Sequence, residues 1–561
     1  MDYGLYGLGL AYRGMVAAQA SLNTVANNLA NANTEGYSRQ RVEAAPAPST
    51  LVQSMGTEVS LSQLGGGVDV RKIIRNRDEF LDVRMRAEIT DEGYSTTLKE
   101  QINFLETQFQ EPGPNGLSGV ISSYFSAWDQ LAVNPESSAA RSEVRQIGLS
   151  VANTFRNLYD NIKKMRTEAD AQISNAIVEV NAYIEQVVDL NKEISATRTL
   201  GSEPNSLMDR RDLIVEKMSR LVRVQTSLQE DGKLFVFIGG RALVDGDKAE
   251  FLSQIPSAEK TLLDVAYRGA AIPAEGLGGK LHALLEMRDS IIGRPALATR
   301  TNADREGGVA TGQALAGLED TTDGILYQLD VLANEFAARV NTIHAYGSPL
   351  DTSGHNPPGA LNGLPSSRPS SGTLTPDQVE QALASAKKPN FFFANAATKP
   401  GMILQPSKPG FIGAGQIDLS ADILAGNAGL NRIASGKAPT VDPVTGTATY
   451  PGPGDNTAAK EIALLRSTPM FGTATETFGD RYRTFLSELG VKGQFSDRMA
   501  QNQLNLIEHL KAQREQTSGV NFDQEMSDMV RYQHAYNASA KIINMLDQAL
   551  DKLINGMPPG R

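Results

Sequence analysis

Apolar side chains recur every seven residues at both ends of this chain, over 8–33 and again over 521–555. A seven-residue repeat is satisfied by an α-helix that turns one stripe toward a partner helix, and by little else. In the first segment Leu8, Met15, Leu22 and Leu29 form one row, and Ala11, Ala18, Val25 and Ala32 fill the position three residues later. In the second, Phe522, Met529, Tyr536, Ile543 and Leu550 form the row, with Tyr532, Leu546 and Leu553 three after their partners. At the helical rise these segments would be roughly 39 Å and roughly 52 Å long. The second is well bounded. Asn521 with Gln524 resembles a capping box, Asp523 and Glu525 suit the positive end of the helix dipole, and Gly556 with Pro558 and Pro559 stops the helix.

The polar face of the first segment is unusual. From Met1 to Thr34 the only charged side chains are Asp2 and Arg13; the polar positions are Gln19, Ser21, Asn23, Thr24, Asn27, Asn28, Asn31 and Asn33. A solvated helix face normally carries Lys and Glu, and Asn is a poor helix former. A lone helix of this composition is marginal in water, whereas an amide face can hydrogen-bond to protein once packed. The expectation is a segment that orders on assembly. An ordinary helix pair inside one domain is the competing reading of the stripes. The amide face and the terminal placement favour intermolecular packing.

Bulk properties exclude several function classes. A chain of 561 residues has room for several cores. Its net charge of −11 and its lack of a dense Lys/Arg stripe argue against nucleic acid and anionic membrane as partners. No apolar run approaches the ~20 residues of a membrane span. No basic region followed by an apolar core is visible at the start, so no cleaved signal peptide is expected. Cysteine is absent. That removes disulfides, thiolate metal sites and Cys nucleophiles, and it suits a protein exported unfolded through a narrow channel.

Between the ends, helical periodicity dominates. Residues 41–75 read as extended and loop-rich. A helix is expected from about Asp78 to Phe109 and a short one over 117–132. A long helix over 137–197 carries Val144, Val151, Leu158 and Met165 at seven. After a one-residue slip it carries Ile173, Val180, Val187 and Ile194. A helix from Asn205 to about Leu221 turns back. Strand period appears over 231–246, where Gly239-Gly240 signals a hairpin. Further helices are expected around 281–287 and 320–345. From Tyr346 to Pro376 the composition shifts to Pro, Gly and Ser, and 377–455 is Ala/Gly/Pro-rich with short apolar strands, as at Asn390–Phe393.

Catalytic chemistry finds no foothold. His282, His344, His355, His509 and His534 share no metal-ligand spacing. Gly7-Leu8-Gly9 and Gly413-Ala414-Gly415 lack a dinucleotide fingerprint, and there is no phosphate-binding loop motif. Asp209, Asp212 and Glu216 read as a solvated helix face. No catalytic, cofactor-binding or metal residue is assigned, no cofactor is expected, and the chain is read as a non-enzyme.

The stretch Ala26-Asn27-Asn28-Leu29-Ala30-Asn31-Ala32-Asn33-Thr34-Glu35-Gly36-Tyr37-Ser38-Arg39-Gln40 resembles the N-terminal signature of bacterial flagellar rod, hook and hook-associated axial proteins. Gly36-Tyr37-Ser38-Arg39-Gln40 is closer to the hook-associated, hook–filament junction branch than to hook or rod subunits. Asn205–Asp212, Gly278–Leu281 with Leu284–Asp289, Gly454–Asn456 and Ser518–Asn521 with Arg531–Gln533 and Ala535-Tyr536 resemble further blocks of that family. The likeness is strong over about 1–45 and 515–561 and absent over 346–453.

The resemblance implies a mainly α fold with β insertions (α+β) and a discontinuous, multidomain axial architecture. Residues 1–40 plus 515–561 would pair as a coiled-coil inner domain. Residues 41–345 plus 455–514 would form a helical-bundle core, and 346–454 an outer β-rich domain. The inner seam would be Leu8, Met15, Leu22, Val25, Leu29, Phe522, Met529, Tyr536, Ile543 and Leu550. Implied partners are copies of the chain in a ring or helical layer, the hook protein, a second junction protein and a flagellar export chaperone. The implied location is the extracellular flagellum, reached by type III export. The alternatives are a hook or rod subunit, or an axial protein whose outer domain carries wall-hydrolase or adhesin activity.

Overall fold

The computed structural model describes residues 2–54, 60–257, 262–293, 324–352, 390–395, 412–442, 447–471 and 475–555, with isolated residues 368, 374 and 378. Helix α1 (Asp2–Ala30) leads into two antiparallel β-ribbons, β1 (Gln40–Pro46) with β4 (Val68–Arg75) and β2 (Thr50–Ser54) with β3 (Ser60–Leu64). Then come α2 (Glu79–Phe109), α3 (Leu117–Val133), α4 (Ser138–Thr199) and α5 (Asn205–Leu221). Local chemistry sets these starts. Asp78 accepts from the amides of Phe80 and Leu81, and Ser137 from that of Ala140.

Next is a meander of β5 (Val224–Leu228), β6 (Leu234–Ile238), β7 (Arg241–Asp245) and β8 (Lys248–Ala249) in that spatial order. Gly239 and Gly240 join β6 to β7 with φ of 57° and 74°, the two left-handed residues of a tight hairpin turn. A second small sheet orders β11 (Ala270–Ala271), β10 (Leu263–Tyr267) and β9 (Leu252–Pro256). The chain continues through α6 (Ala274–Leu277), α7 (Gly279–Glu286) and a single π turn at Met287–Ile291. The remaining long elements are α8 (Ile325–Tyr346), α9 (Thr457–Leu464), α10 (Phe478–Ser518) and α11 (Phe522–Asn555).

The 62-residue helix α4 serves two cores. Its first row, Val144, Val151, Leu158 and Met165, is buried with α3, α8, α10 and the end of α2. Its second row, Ile173, Val180, Val187 and Ile194, is buried with α5, α7 and the β5–β10 strands. The slip in the heptad phase falls where the helix leaves one core for the other. There Arg288, on the π turn and 1% exposed, bonds Asp170 of α4 (2.6 Å), Asp264 (3.0 Å) and Asp289 (2.8 Å). A π turn aims a side chain that an α turn would carry past its partner.

The expected division at 346 is revised for the described residues. Phe392, Phe393, Ile412, Ala414, Ile417, Leu419, Ile423, Leu430 and Ile433 are buried in the same core as α3, α4 and α8, rather than in a core of their own. The aromatic rings interlock: Phe392 stands edge-on to Trp128 (5.6 Å) and Tyr124 (6.0 Å), and Phe393 lies 5.5 Å from Phe336. Asn341 of α8 donates to the carbonyl of Phe393 and accepts from the amides of Phe392 and Phe393, so the strand is tied down by its backbone. A Gly- and Pro-rich composition looked external because few apolar residues were available to signal burial.

Candidate assembly interface

Helices α1 and α11 pair antiparallel within one chain. A Cβ on Gly7 would lie 3.4 Å from Leu546, and one on Gly14 would lie 3.2 Å from Ser539 Oγ. Further along, Asn28 bonds Glu525. The partners climb one helix as they descend the other, in steps of seven. The deepest apolar positions on α1 are Ala11, Ala18 and Val25, at 8, 5 and 5% exposure. The predicted large row, Leu8, Met15, Leu22 and Leu29, is only half-buried beside this stripe of small residues. On α11, Met529, Tyr536, Ile543 and Leu550 are half-buried on the shared face, whereas Phe522 is 60% exposed at the helix start. Phe522 is therefore not a seam residue of this pair.

The other flank of α1 rests on the β1–β4 ribbon. Tyr6 donates to the carbonyl of Gly65 (2.9 Å), and Arg13 pairs with Asp69 (3.2 Å). The pair still leaves apolar surface outward: Tyr12 and Val16 on α1, and Phe522, Met526, Val530, Ile542 and Met545 on α11. The stripes thus serve an intramolecular partner first, against the intermolecular expectation, while a second face stays uncovered.

Two half-buried helices gain less than a core does. Full burial of a large apolar side chain is worth about 1.5–3 kcal/mol, and half-burial correspondingly less. What fixes the pair to the body is a polar cluster built from the signature residues. Asn28, 1% exposed, uses its whole amide. Nδ2 donates to the Gln40 carbonyl (2.9 Å) and to Glu525 Oε2 (3.0 Å); Oδ1 accepts from the Gln40 amide (3.0 Å) and from Tyr37 Oη (2.8 Å). Arg39 Nε donates to the buried carboxylate of Glu525 (2.5 Å), and its other arm reaches Asp528 (3.3 Å). The Arg39 amide donates to the Ser518 carbonyl (2.9 Å), and Asn76 Nδ2 donates to the Thr517 carbonyl (2.6 Å). Asn521 caps α11 at the amide of Gln524 (3.1 Å).

The cluster continues into the body. Ser38 donates its hydroxyl (2.8 Å) and its amide (3.2 Å) to Asp209 of α5. Arg75 at the end of β4 bridges Asp209 (2.9 Å) and Asp212 (2.8 Å), and Arg77 bonds Asp212 (2.9 Å) and Asp82 (2.7 Å). Burial alone would raise the Asp212 carboxyl, but Arg77, Arg75 and Arg211 outweigh it and hold it below the ordinary aspartate value. Burial, and then the charges of Asp209 and Glu525, push the Tyr37 phenol well above its usual range, so it stays a donor to Asn28. Gly36 has φ of +81°, and a Cβ there would meet Leu213 of α5 at 3.1 Å.

Among the signature residues, Asn28, Gly36, Tyr37, Ser38, Arg39 and Gln40 converge here. Asn27 reaches Tyr37 Oη at 3.3 Å, Asn31 bonds back to Asn27, and Asn33 is exposed. Glu525, Asp528, Asp209, Asp212, Arg75 and Arg77 were not anticipated. The reading of Asp209, Asp212 and Glu216 as a solvated face is corrected: Asp209 is 5% exposed, Asp212 is paired twice, and Glu216 pairs with Arg514 of α10. Their i, i+3, i+7 spacing on one helix face gave a signal of shared orientation, but nothing in it named the arginines.

No group of metal-ligating side chains occurs among the described residues. His344 is buried as a neutral ring between the carbonyl of Asn390 (2.8 Å) and the amide of Ala434 (3.0 Å).

A helical body with terminal helices paired across the full length of the chain and pinned by this cluster defines a flagellar axial protein. Residues 9–37 match the family model for flagella basal body rod protein, residues 511–556 that for the flagellar basal body rod FlgEFG protein C-terminal, and residues 102–359 that for the flagellar hook-associated protein FlgK helical domain. The chain is 28% identical to flagellar hook-associated protein 1 of Bacillus subtilis over 99% of its own length and 98% of that protein. It is 26% identical to the protein of that name from Salmonella typhimurium, over 97% and 98%. The structure of the flagellar hook junction protein FlgK from Burkholderia pseudomallei matches its fold with a TM-score of 0.55 at 17% identity, covering 77% of this chain and 99% of that one. Over nearly its whole length the chain is thus similar to flagellar hook-associated protein 1, and it is a structural subunit of the bacterial flagellum of the hook–filament junction type.

Proposed function

We propose that copies of this chain form a ring or short helical layer on the distal hook, and that this layer carries a second junction protein and then the filament. The terminal segments, 1–40 with 515–561, are the inner domain of that layer, and the chain's work is mechanical rather than catalytic. It reaches this position through the flagellar type III apparatus, accompanied by an export chaperone. The observation that carries the reading is the outward apolar face of the α1–α11 pair, Val16, Met526, Val530 and Met545 among it, on a chain collinear with its junction-protein relatives. Exposed apolar patches of this kind are interaction sites.

The test is genetic. A strain lacking the chain should build hooks that bear no filaments and should shed filament subunits into the medium. Restoring the wild-type chain should restore filaments, and a Met526→Asp, Val530→Asp variant should not, although it purifies as a folded monomer. Normal filaments in the deletion strain would sink the proposal.

A further inference from the structure

Between α2, the end of α4, α5 and the β5–β6 hairpin lies a cavity of about 330 Å³. Its walls carry Arg86, Arg198 and Arg211, together with Lys72 and with Arg75 and Arg77, which are ion-paired to Asp209, Asp212 and Asp82. Four of the five carboxylates that also line it are committed. Asp82 and Asp212 are held by Arg77 and Arg75, Glu203 by Arg198 (3.1 Å), and Glu216 by Arg514; Glu79 lies on the first turn of α2.

The cations are less well matched. Arg211, 1% exposed, spends Nη1 on two neutral oxygens, Asn191 Oδ1 (3.1 Å) and the Gly232 carbonyl (2.7 Å). Its Nε is buried without a hydrogen-bond partner, with Asp212 at 3.9 Å. Arg198 Nε is likewise buried without one. Arg86 bonds the Asp82 carbonyl (3.2 Å) and the Thr226 hydroxyl (3.1 Å). A buried donor left unmade is costly, and donors on guanidinium groups most of all. Burial takes the Arg211 guanidinium down to about 10 against the pull of Asp212, with smaller lowering by Arg75, Arg198 and Arg77, and burial lowers Arg86 as well.

We infer that this cavity binds a small tetrahedral oxyanion of the phosphate or sulfate class, held by the guanidinium groups of Arg198 and Arg211 and by Arg86 from the α2 side, since the hydrogen bonds of Arg86 and Arg211 go to neutral oxygens. The planar guanidinium fork suits such an ion. The volume accommodates one oxyanion with some of its water, since a single water occupies about 30 Å³. Exposed Val83 and Leu228 at the rim leave a path from solvent. A bound anion would tie α2, α4 and α5 together behind the ion pairs that Arg75 and Arg77 make with Asp209, Asp212 and Asp82, stiffening the body where the terminal helix pair attaches.

The probe is inorganic phosphate added to the full chain, followed by calorimetric titration and by phosphorus NMR line width at constant ionic strength. The expected result is saturable binding of one phosphate per chain, competed by sulfate and not by chloride. Arg198→Gln and Arg86→Gln should each weaken it at least tenfold with unchanged circular dichroism; both side chains are partly exposed, whereas Arg211 is 1% exposed and its loss would disturb the fold. No saturation with either oxyanion, or equal affinity in both variants, would overturn the inference and leave a cavity filled by water.

Discussion

Replacing Arg39 by Met tests whether the polar cluster, rather than the apolar seam, holds the terminal pair in place. Glu525 is fully buried, and the change leaves it with Asn28 Nδ2 as its remaining donor. Breaking a buried ion pair from one side costs about 3–5 kcal/mol because the other charge stays desolvated. Arg39 itself is 24% exposed, so the lower end, about 3 kcal/mol, is expected. At 1.4 kcal/mol per decade that is roughly a hundredfold change in a local opening equilibrium. Global denaturation would blur it, because a chain with several cores need not unfold in one step. Native-state hydrogen exchange reads it directly: amides over 24–30 and 522–536 should exchange about a hundredfold faster, with α3, α4 and α8 unchanged. The double variant Arg39→Met, Glu525→Leu should recover most of the loss, since no unpaired charge remains. Additive losses in the double variant, or no change in the single one, would refute the cluster's role. Unprotected amides in the wild type would show that the pair is not docked in the free chain at all.

Three further outcomes follow from the geometry. Ile543→Asp places a carboxylate on the half-buried face of α11 and should weaken the pair by about 2 kcal/mol and abolish filaments, whereas Phe522→Asp, at a 60% exposed helix start, should change pairing by less than about 0.5 kcal/mol; exchange rates and electron microscopy separate the two. Gly36→Ala combines a left-handed backbone with a 3.1 Å approach to Leu213 and should cost about 2 kcal/mol, while Gly201→Ala, with φ of +82° and open space around it, should cost about 1; equal melting losses would remove the contact from the account. Asp212 has its folded-state value depressed, so its contribution is present above the ordinary aspartate value near 3.9 and is lost as pH falls through the lower folded value. Proteolysis of the wild type at the α1–β1 link should therefore accelerate below about pH 4, and Asp212→Asn should be cut faster at neutral pH and show a smaller acceleration in that range.

Much of the fold was legible because helices announce themselves by period. The rows on α4 needed only the spacing of Val144 to Ile194, and even the phase slip between Met165 and Ile173 marked the boundary between two cores. Gly239-Gly240 gave the hairpin because L side chains avoid both conformations of its turn. The signature residues were visible as a resemblance, and an amide face without charge was visible as chemistry that wanted protein rather than water.

What the stripe could not decide was its partner and its centre. Seven-residue spacing is compatible with an intramolecular or an intermolecular helix, and with either of two adjacent rows. Packing chose Gly7, Gly14, Ala11 and Ala18 because small residues let two backbones approach, which leaves Leu8 and Met15 at the flank. Residues 390–395 and 412–434 were misplaced because burial of a few aromatics and backbone bonding to Asn341 act across some fifty residues of chain and leave no local period. The same holds for the cluster around Asn28. Asn28 and Arg39 meet Glu525 across nearly the whole chain, and Ser38 and Arg75 meet Asp209 across the bundle. Sequence alone determined which segments are helices and which residues are chemically suited to interior hydrogen bonding. Only the tertiary structure decided which carboxylate each donor meets, because that pairing depends on distances in space that no spacing along the chain encodes.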